Sequence, residues 1–133
     1  MRRLACLIAL CLAAPAGGAD PRSDYLLHCA GCHRPDGTGL PPSVPSLVGP
    51  LGTIAASPQG RDYLARVPGA AQAPLNDAEL TAVLNWVLHE FNAATLPDSF
   101  EPLKVREVGT SRSRVLADPL KLRGELWPDP IEY

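Results

Sequence analysis

The clearest pattern of apolar and polar positions lies between residues 76 and 91 and predicts an amphipathic helix. Asn76 and Glu79 have the spacing of a capping box, in which each side chain bonds a backbone N–H near the other. Asp77 adds a negative charge at the positive end of the helix dipole. The apolar residues then recur every three or four positions and share one face. They are Leu80, Val83, Leu84, Val87 and Phe91.

The segment around residues 20–50 predicts one helix followed by a long loop. Ser23 and Asp24 can cap a helix that continues into residues 29–33. Residues 34–50 are rich in glycine and proline, which is typical of loops. Among them are Gly37, Gly39, Pro41, Pro42, Pro45, Gly49 and Pro50.

A second short helix is predicted before the capping box. Ser57 followed by Pro58 is typical of an N-cap and a first helical residue. This helix should end at Val67, because Pro68 disfavours helical backbone at the residue before it. Residues 69–74 are predicted as another loop. No alternating pattern long enough for a strand and no internal repeat is found, so the predicted fold class is all-α, with few helices and long loops.

The start of the chain predicts a secretory signal peptide over residues 1–19. Arg2 and Arg3 form a basic region, residues 4–14 are apolar, and small residues suited to cleavage follow. The apolar run is too short to span a bilayer, so we expect cleavage rather than an uncleaved membrane anchor. The sequence therefore predicts a periplasmic protein with no membrane span after cleavage.

The end of the chain has a different composition, which divides the mature sequence into a domain over 20–92 and an extension over 93–133. The extension is rich in proline and carries charges of both signs. Its apolar residues are too few for a separate core but too many for a solvated tail. We expect it to lie along the domain or a partner, with a short helical turn near residues 101–108.

The segment 29–33 reads Cys-Ala-Gly-Cys-His, which is the attachment motif of a c-type haem. Two thiols on one helical turn can add to the two vinyl groups of one porphyrin as thioethers. His33 then lies under the iron as its proximal ligand. Because loss of residues 1–19 removes the other two cysteines, Cys29 and Cys32 account for every thiol that remains. The predicted cofactor is one covalent haem c.

Two other uses of paired cysteines fit this sequence less well. A redox dithiol of the thioredoxin type needs a βαβ pattern, which is absent. A zinc site needs a second pair of cysteine or histidine ligands, which the mature chain lacks.

Charge excludes one class of partner. The formal net charge is −2, and without Arg2 and Arg3 it becomes −4. There is no basic patch suited to nucleic acid.

With these motifs, the chain resembles a class I bacterial cytochrome c over roughly residues 20–91. The likeness is carried by residues 29–33, by the loop at 34–49 and by the helix at 75–88. The resemblance implies that the carbonyl of Pro45 accepts the ring N–H of His33, and that Trp86 packs near the haem and the first helix. It also implies electron transfer, without enzymatic activity, between redox proteins such as a periplasmic dehydrogenase or oxidase.

The distal side of the iron departs from that family. The family's distal methionine would fall near Ala70, whereas the only methionine in this chain is Met1. Gln72 lies in the corresponding loop, and its amide oxygen could face or weakly ligate the iron. A loop side chain that bonds backbone groups is an equally good interpretation of Gln72.

The remaining histidines are poor substitutes for the methionine. His28 is on the same predicted helix as His33 and cannot reach the other haem face. His89 lies almost opposite the apolar stripe of its helix, as a solvated residue would.

Electron transfer is the function that we predict from the sequence, and three alternatives remain open. One is an open-site haem protein that binds carbon monoxide or nitric oxide, and another is a haem subunit of a larger redox complex. A peroxidase-like enzyme ranks last, because residues 67–74 lack the histidine, arginine or glutamate that acid–base chemistry needs.

Overall fold

The computed structural model describes residues 20–40 and 43–127, and within them the chain is built from helices. The predicted signal peptide at 1–19 lies outside the described residues. The only bridged pair that the described residues contain is an isolated one between Leu40 and Val44, so the all-α class is confirmed. The helices are α1 Pro21–His28, α2 Ala30–His33, α3 Pro50–Ala55, α4 Pro58–Arg66, α5 Pro68–Ala71, α6 Asp77–Asn92, α7 Val105–Arg112 and α8 Pro119–Leu126.

Helix α6 forms as its sequence predicts. The Asn76 side chain accepts hydrogen bonds from the backbone N–H groups of Ala78 at 2.9 Å and Glu79 at 3.0 Å. The Glu79 carboxylate accepts the backbone N–H of Asn76 at 2.8 Å, which completes the capping box. The apolar stripe of α6 then faces the core, where Leu80, Val83 and Val87 are buried.

Helix α1 begins earlier than predicted. Its N-cap is Asp20, whose carboxylate accepts the backbone N–H of Ser23 at 3.3 Å. Pro21 takes the first helical position, where its fixed φ is favourable and its missing N–H has no cost. Ser23 and Asp24 therefore lie inside the helix, so the prediction that they cap it was wrong.

Proline also governs the middle of the chain. Helix α4 starts at Pro58 with Ser57 as its cap and ends before Val67, which confirms the prediction. Pro68 then starts a new short helix, α5, where a loop was predicted. Helix α3, which starts at Pro50 inside the predicted loop region, was not predicted at all.

Helices α1 and α6 cross through a cluster of aromatic side chains. Tyr25 on α1 is fully buried, with a relative exposure of 0%. Its ring centroid lies 5.1 Å from that of Trp86 and 5.5 Å from that of Phe91. Tilted and edge-to-face pairs at such distances add to the stabilisation gained from burying the rings. This cluster fixes α6 against the helix that carries the cysteine motif.

The segment after residue 92 packs against the rest of the protein. Helix α7 lies against α4 and α6, and α8 lies against α4. The helical turn expected near 101–108 is a helix of two turns at Val105–Arg112, and α8 was not predicted. No helix of the described residues is long and apolar enough to cross a membrane.

Ion pairs join α4 to α7. The Arg61 guanidinium donates to both carboxylate oxygens of Glu107, at 2.6 and 2.8 Å. Asp62 accepts from the Ser111 hydroxyl at 2.7 Å, from Arg66 at 2.8 Å and from Arg114. Partial burial would raise the pKa of Asp62, but these donors outweigh it and the pKa is lowered. The Arg61 hydrogen bonds lower the pKa of Glu107.

These contacts predict that Asp62→Asn destabilises the protein at neutral pH. Loss of charge-assisted bonds across α4 and α7 should lower the free energy of unfolding by about 1–3 kcal/mol, measured by urea denaturation of the purified protein. Because the folded-state pKa of Asp62 is lowered, its contribution is complete above the unfolded pKa of about 4 and disappears as the pH falls through the folded value. The difference between variant and wild type should therefore shrink in acid. Asp98→Asn, at an exposed carboxylate, is the control, and equal effects of the two substitutions would contradict this role of Asp62.

Candidate haem-binding site

The cysteine motif forms one further helical turn at the end of α1. The backbone N–H of Cys29 donates to the carbonyl of Tyr25 at 2.8 Å. The N–H groups of Cys32 and His33 then donate to the carbonyl of Cys29, at 3.1 and 2.9 Å. Cys29 is half-buried, Cys32 is exposed, and neither is in a disulfide. The motif therefore presents two free thiols and an imidazole on one turn.

The imidazole of His33 is held by a single backbone group. Its Nδ1 lies 3.0 Å from the carbonyl oxygen of Pro45. A carbonyl can only accept, so Nδ1 carries the proton and Nε2 keeps its lone pair. Burial is the main cause that lowers the pKa of His33, and the positive charge of Arg123 acts in the same direction, whereas the Pro45 bond opposes them. The ring is therefore set up as a neutral ligand with Nε2 available for a metal.

The loop after His33 reaches this arrangement through two glycines with positive φ. Gly37 has a φ of 77° and Gly39 a φ of 71°, which residues with a Cβ rarely adopt. The N–H of Gly39 donates to the carbonyl of His33 at 3.0 Å, and the carbonyl of Gly37 accepts the N–H of Leu47 at 2.8 Å. A Cβ on Gly37 would also lie 2.8 Å from the ring of Phe91. The loop thus folds back beside α6.

Tyr25 links this loop to the aromatic cluster. Its hydroxyl donates to the carbonyl of Arg34 at 2.6 Å. Arg34 follows the motif directly and has a φ of 61°, which is strained for a residue other than glycine. Burial, with smaller contributions from Cys29 and Asp36, raises the pKa of Tyr25 to about 12, so the phenol stays a hydrogen-bond donor. The hydrogen bond holds the strained residue in place.

The environment of Cys29 and Cys32 fits neither a redox dithiol nor a zinc site. Burial is the main cause that raises the pKa of Cys29, and the charges of Asp24 and Cys32 raise it further. A reactive dithiol has the opposite property, a lowered thiol pKa. In the part of the chain that the structure describes, no group of three or more histidine, cysteine, aspartate or glutamate side chains could hold a metal ion. A redox dithiol and a protein-only zinc site are both disfavoured.

The segment in which the distal ligand was expected is held by α7. The Arg112 guanidinium donates to the carbonyls of Ala71 at 3.0 Å, Ala73 at 3.1 Å and Leu75 at 2.8 Å. Ala70, the position that corresponds to the methionine, is half-buried against the core. The sequence gives no local signal for this clamp, because it depends on how α7 packs.

The other residues singled out in the sequence are spread over the structure. Trp86 is half-buried beside Tyr25, as described above. Gln72 is exposed and ends helix α5. His28 and His89 are both exposed, and the ring of His89 lies 6.0 Å from that of Phe100.

Two buried charged residues, Asp24 and Arg123, were not predicted from the sequence as residues of the site. Asp24 Oδ2 and the Nε and Nη2 atoms of Arg123 are buried and have no hydrogen-bond partner among the described residues. Asp24 lies on α1 one turn before the motif, and Arg123 lies on α8. Charged side chains are rarely left buried and unpaired.

The arrangement has the donor set of a haem c site. It offers two thiols one helical turn apart, a neutral imidazole with one ring nitrogen bound to the backbone, and a buried cation near that imidazole. These groups match the two vinyl groups, the iron and the carboxylates of one haem. The fold and the site together define an all-α protein of the haem-attaching class.

Comparison with known proteins agrees with this class. Two proteins named cytochrome c-552 from Thermus thermophilus are each 32% identical to the chain over 106 residues. The aligned region covers 66% of this chain, and it covers 81% of one relative and 72% of the other. The chain therefore belongs to the c-type cytochromes, electron-transfer proteins whose cofactor is a covalently bound haem c. No protein-family model matches the chain.

The alignment also shows a difference in length. Coverage of 66% corresponds to about 88 residues of this 133-residue chain, so about 18 of the 106 aligned positions are gaps in this chain. The relatives thus contain a stretch or stretches that this chain lacks.

The geometry around Tyr25 predicts a modest loss of stability for Tyr25→Phe. The variant keeps the aromatic packing but loses the hydrogen bond to the Arg34 carbonyl, which should lower the free energy of unfolding by about 1 kcal/mol. Urea denaturation of the haem-loaded protein measures this difference. Ser99→Ala, which removes an exposed hydroxyl, is the control and should change nothing. An unchanged unfolding midpoint for Tyr25→Phe would show that the hydroxyl has no part in holding Arg34.

Proposed function

We propose that the protein carries one haem c, attached through Cys29 and Cys32, with His33 as the proximal iron ligand. The observation that carries this proposal is the 3.0 Å contact between His33 Nδ1 and the Pro45 carbonyl, which leaves Nε2 as the free ligand atom. In attachment, each thiol adds across one vinyl double bond, so that the sulfur bonds one carbon and the proton goes to the other. No oxidant or reductant is consumed in that step.

Two further residues orient the haem in this proposal. The Pro45 carbonyl fixes the tautomer and the plane of the His33 ring, and such an outer hydrogen bond raises the basicity of a ligand. Trp86 supports the packing of α6 on α1 from one side of the motif, with its ring centroid 5.3 Å from that of Phe91.

The proposed function is the transfer of single electrons between redox proteins in the periplasm. The bound haem supplies one-electron chemistry between ferric and ferrous iron. Cys32 is exposed, and Leu27 beside the motif is 74% exposed, so an attached haem would have an edge close to the surface. A periplasmic dehydrogenase or oxidase is the kind of partner that could dock there. The acidic net charge favours a partner with a positive surface.

On the distal side we propose an iron that is open or holds a weak ligand. Residues 67–75 contain neither a methionine nor a histidine. Gln72 is the polar side chain of that segment and is the candidate for a weak ligand. Without thioether ligation, which favours the ferrous state, the reduction potential should lie below that of a His/Met centre.

The lack of a methionine or histidine in residues 67–75 supports a second candidate function, which is binding of a small ligand such as carbon monoxide or nitric oxide. An open site that changes its coordination on reduction also adds reorganisation energy, which slows electron transfer. A haem subunit of a larger complex is the third candidate, in which a partner chain covers the distal face.

Replacement of one thiol tests the attachment. Cys29→Ala and Cys32→Ala should each leave a single thioether, because each thiol bonds one vinyl group. The pyridine haemochrome spectrum reports the remaining vinyl group, and mass spectrometry reports whether haem is attached. Two thioether bonds in either variant would contradict the proposed motif.

Carbon monoxide titration tests the distal side and separates the candidate functions. The reduced protein should bind carbon monoxide, with a spectrum that changes in proportion to the ligand added. A low-spin ferrous spectrum unaffected by carbon monoxide would reveal a strong internal ligand and exclude the open site. If His89→Ala then gave a high-spin spectrum, His89 would be that ligand.

Voltammetry tests the electron-transfer function separately. A reversible one-electron wave, with rapid reduction and oxidation by periplasmic redox proteins, is expected. Slow, irreversible cycling together with tight carbon monoxide binding would favour the ligand-binding candidate.

A further inference from the structure

Arg123 has an unusual environment for a charged residue. It is 8% exposed, and its Nε and Nη2 atoms have no hydrogen-bond partner among the described residues. A guanidinium carries five N–H donors and stays charged at every accessible pH. Removing such a group from water without a partner is strongly unfavourable, so a buried arginine of this kind indicates that an anion belongs beside it.

The helix that carries Arg123 packs beside the helix that leads into the distal segment. Helix α8 packs on α4, and α4 leads directly into residues 67–75, where the distal ligand of the family would lie. Asp118 caps α8 by accepting the N–H of Lys121 at 2.9 Å, which fixes the start of the helix. The charge of Arg123 is also close enough to His33 to act on its imidazole.

The carboxylates on the neighbouring helices α4 and α7 are already occupied. Asp62 is bound by Ser111, Arg66 and Arg114, and Glu107 is bound by Arg61. Asp24 also has an unpartnered oxygen, but no hydrogen bond or ion pair joins it to Arg123. Because Nε and Nη2 of Arg123 have no partner among the described residues, the candidate anions are those of the haem-loaded site itself. They are a propionate of the haem, or a small anion bound to the iron.

We propose that Arg123 is the internal counter-cation of the haem site and binds an anionic group there, either a haem propionate or a small anion at the open iron position. The proposal rests on the proposed function, because both anions require the haem. Helix α8 would then be part of the cofactor site, in addition to covering α4.

The test compares the haem-loaded wild type with Arg123→Gln and Arg123→Lys. Arg106→Gln, at an exposed arginine on α7, is the matched control because it removes the same charge from the surface. Resonance Raman bands of the propionates report the first anion. Azide titration of the ferric protein, with the infrared stretch of bound azide, reports the second.

If a propionate is the partner, its Raman bands shift in Arg123→Gln and stay in place in Arg106→Gln. If an iron-bound anion is the partner, Arg123→Gln should weaken azide binding about tenfold, the effect of losing one charge-assisted hydrogen bond. The azide stretch should shift as well. Arg123→Lys keeps the charge without the forked donors and should show smaller changes of the same kind, and it replaces the glutamine variant if that variant fails to fold.

Propionate bands, azide affinity and azide stretch that all match those of Arg106→Gln would overturn the proposal. Failure of the proposed function is recognised separately, because it would show in the wild type as missing haem attachment. If the wild type carries haem but binds no azide, only the propionate bands test the proposal. Propionate bands that do not shift in Arg123→Gln would then overturn it.

Discussion

The rest of the structure depends on how Tyr25 joins α1 to α6. Its ring fills the crossing of the two helices, against Trp86 and Phe91, and its hydroxyl reaches past the crossing to the carbonyl of Arg34. One fully buried side chain therefore sets both the packing of the domain and the backbone conformation directly after the cysteine motif. Because the motif continues α1, any shift of this crossing would move the thiols and the imidazole together.

The two sides of the proposed haem are built in different ways. On the proximal side, local elements are sufficient: a helical turn presents the thiols, glycines turn the chain, and the Pro45 carbonyl holds His33. On the distal side, the local segment 67–75 offers no methionine or histidine, and Arg112 of α7 holds it by donating to three of its carbonyls. The proximal side can therefore be predicted from the sequence, whereas the distal side depends on contacts between residues far apart in the chain.

This difference explains what could be predicted from the sequence. Capping signals act over three or four residues, so the starts of α6, with its Asn76 box, and of α4, with Ser57 and Pro58, were predicted correctly. Helices α3 and α8 were missed because each has about two turns or fewer and a weak apolar pattern, and tertiary contacts stabilise such short helices. The burial of Arg123 also results from tertiary contacts of α8, so the residues around it in the sequence do not predict it.

The helices after residue 92 hold the distal segment, in which a methionine ligand is missing. In a His/Met cytochrome the axial bond itself ties the distal segment to the iron. In this chain, residues 67–75 contain no methionine that could make such a bond. Arg112 holds the same segment from outside, and α8 packs on the helix that leads into it. A distal segment that is held by contacts within the chain does not depend on a bond to the iron for its position, so the proposed change of iron ligand on reduction would leave that segment in place.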